Sequence, residues 1–294
     1  MGSPLLQNCV GSRPETIFED FFPDGISGLA VAREARTIAA GTRNGRLCLL
    51  SQTGDRIRES LSFGQLSRLV ICDSGELGVA VLGTSGLALF DSSLKTLWQS
   101  SVTGRITALA ISPYGGHLAF ATDAARIHIV TNEKKEVATI DTRRPMDHLT
   151  FLSEEPHLIA AAEFGQMCRY DLKGREVWTE QILNNVGDLS VSEGGKRLFL
   201  AAFNHGVQVY GLDGQQLGSY AIDGIPSRVV CSAIRGRVGV LTLENRVFLL
   251  NFEGSIQWAV DISQDPPEHF AMGPLGDRLI IASASGCLLS AGWP

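Results

Sequence analysis

The sequence predicts an all-β fold of seven four-stranded antiparallel units, and three observations carry that prediction. The first is a period of about 40 residues: segments beginning near Ile26, Leu66, Ile106, Met146, Val186, Pro226 and Pro267 align through nearly all of the 294 residues. The second is the content of each copy, short alternating apolar runs rich in β-branched residues and bounded by Gly, Pro, Asn and Asp. The third is the lack of any i, i+3, i+4, i+7 apolar pattern longer than about two turns. A repeat of this kind cannot bury its apolar faces alone and must stack on its copies. Seven such meanders predict a closed, seven-bladed β-propeller.

The third copy shows the four strands in order. Residues 106–112 form an alternating apolar run (strand a), and Pro113-Tyr114-Gly115-Gly116 turns the chain into 117–122 (strand b). A second turn at 123–125 leads to 126–130 (strand c), and 136–140 supply strand d. Glycine stands in the b–c turn at Gly45, Gly86, Gly165, Gly206 and Gly286, where a tight hairpin needs positive φ. Copies three and six carry Ala125 and Asn245 there, which predicts different turns. The last copy, from Pro267, has room for strands a, b and c only, whereas Thr16-Ile17-Phe18-Glu19-Asp20-Phe21 stands in the strand-d phase ahead of the first copy. Residues 15–25 are therefore expected to supply the outer strand of the last blade, closing one ring and one domain over 1–294 and pairing an otherwise open edge.

Composition narrows the function classes. With 44% hydrophobic and 19% charged residues and no Pro/Ser/Gly-rich linker, a large single core is expected. A net charge of −6 without any basic run argues against nucleic acid as a partner. No apolar stretch approaches the ~20 residues of a membrane span. The start, MGSPLLQNCVGSRPE, lacks the cationic and apolar regions of a secretory signal. Gly2 invites N-myristoylation, but Leu6 stands where Ser or Thr is required, and Met-Gly-Ser equally fits an expression remnant. Six cysteines show no CxxC pairing, and Cys48, Cys72, Cys168 and Cys231 fall at core phases of the strands. A cytoplasmic, monomeric protein with no membrane partner is expected.

Two local patterns resemble known families. Ser112-Pro113-Tyr114-Gly115-Gly116-His117-Leu118-Ala119 and Ser192-Glu193-Gly194-Gly195-Lys196-Arg197-Leu198 resemble the SPDGKxLA turn of WD-repeat propellers. Asp171-Leu172-Lys173-Gly174-Arg175-Glu176-Val177-Trp178 and Asn251-Phe252-Glu253-Gly254-Ser255-Ile256-Gln257-Trp258 resemble the D-x-x-G-x-x-x-W blades of quinoprotein-like propellers. The resemblance spans 15–294 and implies the fold, with little on activity. No Trp-Asp dipeptide ends a strand c; Phe90-Asp91 and Tyr170-Asp171 come nearest, and Gly116-His117 lies in an a–b turn. The hydrogen-bonded tetrad of WD-repeat blades is thus expected to be missing, with rigidity supplied by packing.

Phe18, Trp98, Trp178 and Trp258 stand 80 residues apart on alternate strands d, with Arg58, Ala138 and Gly218 between them. They could stack on a flat ligand. Bulky and small residues alternating so that blades interdigitate is the favoured reading, because blade faces are buried on both sides.

No HExxH, GxSxG, P-loop, helix-capping GxGxxG or DxDxDG motif is present, so no catalytic residue, metal site or cofactor is assigned. At one position of strand a the seven copies carry Gly28, Arg68, Ala108, His148, Asp188, Arg228 and His269. In a propeller this position lies at the channel mouth. Arg68, His148, Asp188, Arg228 and His269 could hold an anionic peptide side chain or small carboxylate; alternatively they form a solvated rim in which Asp188 pairs with Arg228. The loops of the same face add Arg43, Asn44, Arg143, Arg144, Phe164, Asn184, Asn185, Asn204 and His205, of which Phe164 and the arginine pair are hot-spot types. Each is equally compatible with ordinary loop chemistry. The expected function is a non-catalytic scaffold for a protein or peptide. A sugar- or lactone-type ligand-binding or enzymatic propeller is the alternative, and a quinoprotein-like oxidoreductase ranks below it.

Overall fold

The computed structural model describes residues 3, 6–7, 9–192, 197–232 and 234–293. Gly2 and the turn at 193–196, both read above, lie outside them. The described residues form 28 β-strands and no α-helix. The first repeats run β1 (Val10–Gly11), β2 (Glu15–Phe21), β3 (Ile26–Ala32), β4 (Thr37–Thr42), β5 (Leu47–Leu50) and β6 (Arg56–Ser60). Next come β7 (Leu66–Ile71), β8 (Leu77–Leu82), β9 (Gly86–Asp91) and β10 (Thr96–Ser101), then β11 (Ile106–Ile111), β12 (His117–Thr122), β13 (Arg126–Thr131) and β14 (Glu136–Asp141). They are followed by β15 (His148–Phe151), β16 (His157–Ala162), β17 (Phe164–Asp171), β18 (Glu176–Val191), β19 (Arg197–Ala202), β20 (Gly206–Gly211) and β21 (Gln216–Tyr220). The chain ends with β22 (Pro226–Cys231), β23 (Arg237–Thr242), β24 (Arg246–Asn251), β25 (Ile256–Asp261), β26 (Pro267–Met272), β27 (Arg278–Ser283) and β28 (Cys287–Gly292).

Two compact units result, Ser27–Leu183 and Met1–Ile26 with Asn184–Pro294. In the former, four-stranded meanders β3–β6, β7–β10 and β11–β14 are followed by β15–β17 with the first part of β18. In the latter, the rest of β18 leads β19–β21; β22–β25 carry β1 on their outer edge; and β26–β28 take β2 as outer strand. The β2 pairing runs antiparallel from Glu15↔Gly292 to Phe21↔Cys287.

Six sheets stand where the period predicts seven, because the fourth and fifth repeats share β18. The reason is local. Every other d–a connection holds a Gly or Pro, whereas Glu180-Gln181-Ile182-Leu183-Asn184-Asn185-Val186 has neither and stays extended.

The b–c turns also depart from expectation. Gly45, Gly165, Gly206 and Gly286 adopt positive φ, whereas Gly86 does not and Gly83 (φ 60°) takes that conformation in its turn; at Gly286 a Cβ would lie 2.1 Å from the Phe22 carbonyl oxygen. Ala125 (φ 56°) and Asn245 (φ 60°) take the same left-handed conformation, so their turns do not differ as the missing glycines suggested. Hairpin closure outweighs the strain of a side chain there.

A β-bulge recurs at two places in the repeat. One interrupts strand a just before Arg68, Ala108, Asp188, Arg228 and His269. The other interrupts strand d just before Phe18, Arg58, Trp98, Ala138, Gly218 and Trp258. A bulge re-aims the next side chain, so both columns read from the sequence sit where the backbone turns them.

Within each unit the core lies between neighbouring sheets. Leu49, Phe63, Leu66 and Phe90 join the first and second; Val79, Leu89, Leu109 and Phe120 the second and third; Ile127, Phe151 and Tyr170 the third and fourth. In the other unit Phe199, Val209, Val240 and Phe248 form one such cluster, and Trp258, Leu279, Leu289 and Trp293 another. Arg33 adds a polar tie, its Nε and Nη2 each donating to an Asp73 oxygen at 2.8 Å. The aromatic column divides: Phe18 and Trp258 are buried, whereas Trp98 and Trp178 are only half-buried. No cysteine is in a disulfide; Cys48, Cys72, Cys168 and Cys287 are buried, and Cys9 and Cys231 partly so. Among the described residues no helix is long and apolar enough to cross a membrane.

Candidate functional site

The strand-a column divides between the units. In Ser27–Leu183, Arg68 is exposed on β7 and His148 half-buried at the start of β15. In the other unit Asp188, Arg228 and His269 occupy the post-bulge positions of β18, β22 and β26. Asp188 accepts the backbone N–H of Val229 at 3.1 Å and of Leu189 at 2.9 Å, while Arg228 Nη1 donates to the Gly187 carbonyl at 3.2 Å. Each side chain thus binds the backbone of a residue adjacent to the other, Val229 beside Arg228 and Gly187 beside Asp188. Ser190 Oγ continues the seam by accepting the Cys231 N–H at 3.2 Å. Part of this column therefore joins neighbouring strands, and the exposed guanidiniums of Arg68 and Arg228 are what it offers to solvent.

The loop residues give a more concrete site. The d–a loops at 102–105 and 142–147 and the b–c turns at 122–126 and 162–165 enclose a cleft of about 380 Å³ in Ser27–Leu183. Its walls are Arg105, Asp123, Arg144, Asp147, Glu163 and Phe164, over Thr107, Pro145 and Ala162. Hydrogen bonds set these loops before any ligand arrives. Asp123 accepts the Arg105 N–H at 3.0 Å, Asp147 the Glu163 N–H at 2.8 Å, and Thr107 Oγ1 donates to the Met146 carbonyl at 2.6 Å. Arg144 Nη1 donates to the Phe164 carbonyl and ties the two loops together. Phe164 itself is 55% exposed. The result is a large apolar ring exposed on a hydrogen-bonded turn, flanked by exposed charges of both signs.

The cleft joins Arg144 and Phe164 from the sequence prediction. Arg143 is exposed in the same loop, and Arg43 and Asn44 are exposed on the first b–c turn of that unit; Asn185 and His205 are exposed in the other unit. Sequence reasoning noted Glu163 only as the neighbour of Phe164, and it missed Arg105, Asp123 and Asp147. Their only signal is membership of the same two loop classes. Among the described residues no group of three or more His, Cys, Asp or Glu could hold a metal ion. His128 and His157 are shifted below the usual imidazole range chiefly by burial, reinforced by Arg126 and Arg169 respectively. No family model matches the chain, and no curated protein is significantly similar to it.

Proposed function

We propose that the protein is a non-catalytic scaffold, a seven-bladed propeller whose ring is closed by Glu15–Phe21 and whose loop face binds a protein or peptide segment. The cleft around Phe164 carries this proposal. Its loops are fixed by their own hydrogen bonds, so a partner pays little ordering entropy, and an exposed aromatic beside arginines has the composition of an interaction hot spot. Arg68, His148, Asp188, Arg228 and His269 share one position of the repeat, and we assign them to the channel mouth as a second anchor, for an anionic side chain.

The test is a paired pull-down from extract of the source cell, read by mass spectrometry. The baits are the wild type and an Arg105→Ala/Phe164→Ala variant whose circular dichroism is unchanged. A partner held by the wild type and lost by the variant is expected. Equal capture by both baits, or nothing specific on either, would refute the proposal.

A further inference from the structure

Two grooves of this protein correspond by the repeat, and one of them is already filled. In the unit Met1–Ile26 with Asn184–Pro294, the N-terminal segment runs along β25 facing the β26–β28 sheet. Leu6, 3% exposed, joins the cluster of Trp258, Val260, Ile262, Leu289 and Trp293. Two residues pair with β25 as an added strand, Val10↔Ala259 and Gly11↔Trp258. The Ser12 N–H donates to the Gln257 carbonyl at 3.1 Å, and Trp293 Nε1 to the Ser12 carbonyl at 2.7 Å. Gly11 has φ +89°, and a Cβ there would lie 2.2 Å from the Gln257 oxygen, so the segment needs glycine opposite the tryptophan.

The matching groove in Ser27–Leu183 is open. It has a volume of about 450 Å³ and lies between β10 and the β11–β14 sheet. Its walls repeat those of the filled groove: Trp98 stands for Trp258, Val102 for Ile262, and the cross-strand pair Phe120–His128 for Ile281–Leu289. Strand β10, like β25, is the outer strand of its meander, but among the described residues nothing pairs with its free edge. The charge differs. Arg126 and Lys134 line the groove with Glu136, Arg126 is held by Asp141 at 2.7 Å, and Lys134 Nζ lies 5.8 Å from the Trp98 ring centroid.

We propose that this groove takes in trans what its counterpart takes in cis: an extended partner segment that adds to β10, seats a leucine-sized side chain beside Trp98 and places a glycine opposite it. An acidic residue next to the anchor complements Lys134. Strand addition supplies main-chain hydrogen bonds, and the pocket supplies selection by side chain. The groove and the loop-face cleft are lined by different side chains, although both border the segments 102–105 and 122–126.

The probe is a fluorescent peptide of residues 3–14 of this chain carrying Gln7→Glu and Cys9→Ser, titrated by anisotropy into the full-length protein. Saturable binding is expected. It should weaken about tenfold or more when the peptide carries Leu6→Asp or Gly11→Val, or when the protein carries Ser101→Trp at the exposed groove rim. Thr103→Arg, also exposed and groove-lining, serves if the tryptophan variant misfolds. Lys134→Glu should weaken it too, while Arg105→Ala/Phe164→Ala should leave it unchanged. Failure to bind, indifference to Leu6→Asp, or full binding to both rim variants would overturn the proposal; the last would place the peptide elsewhere, its own filled groove included. Indifference to Lys134→Glu would overturn the acidic preference.

Discussion

Trp258→Ala should be among the costliest single changes in the chain, and Trp258→Phe among the mildest for so large a side chain. Trp258 is 0% exposed, meets Trp293 edge-on with ring centroids 5.0 Å apart, and shares a buried cluster with Leu6. Truncation removes the transfer energy and leaves a cavity, about 3–5 kcal/mol. The edge-on pair adds about 1 kcal/mol. With an unfolding entropy of about 2 cal/mol/K per residue over 294 residues, each kcal/mol moves the midpoint by about 1.6 °C. The alanine variant should therefore melt about 6–10 °C lower. Phenylalanine keeps most of the ring contacts. It also removes an indole N–H that has no hydrogen-bond partner among the described residues, offsetting the lost volume, so the cost should stay below about 1.5 kcal/mol. Trp98, at the same phase, is half-buried with its N–H bonded to the Asn132 carbonyl at 2.7 Å; its alanine variant should cost less than that of Trp258. Calorimetry of the four proteins decides. A Trp258→Ala shift below about 2 °C, or a phenylalanine variant as damaged as the alanine one, would refute the reasoning.

Three further outcomes follow from the same geometry. Ala125→Gly should stabilise the protein by about 0.5–1 kcal/mol in urea denaturation, because alanine at φ 56° carries left-handed strain that glycine does not; a loss of stability would contradict this. Gly11→Val should unseat the N-terminal segment, speeding proteolysis before β2 and costing about 1–2 kcal/mol; unchanged protection there would show that β1 contributes nothing. Stability should also decline as pH falls below the ordinary imidazole value of about 6.5, since the unfolded chain then takes up protons that His128 and His157 resist in the fold. Above that pH both states are neutral and the contribution is fully present. A His128→Gln/His157→Gln variant should flatten this dependence of the urea midpoint, and an unaltered slope would refute it.

Strand order was legible because each alternating apolar run is framed by turn-forming residues, as in 106–112 and 117–122. The strand-d phase of residues 16–21 was legible on the same basis, and β2 lies on the outer edge of β28. What the sequence hid depends on pairing rather than composition. A bulge is a mismatch between two strands, so nothing in Leu66-Ser67-Arg68 announces it. Ala125 looked unfit for a left-handed turn because propensity was weighed without the hairpin that enforces it. Leu6 was read only against targeting signals, and its burial in the cluster that holds Trp258 follows from tertiary packing. Trp98 and Trp258 share a phase but not their surroundings, so one column contains both a core residue and a groove wall. At the cleft, Phe164 and Arg144 stood out by residue type, whereas Asp123 and Asp147 matter through backbone hydrogen bonds that only the fold creates.

The most direct test of the binding assignment is hydrogen–deuterium exchange on the protein with and without its captured partner. The loop-face scaffold predicts new protection in 102–105, 122–126, 142–147 and 162–165, the four segments around Phe164. Protection that spares 142–147 and 162–165, which border the cleft and not the groove, or none at all on a saturated complex, would contradict it.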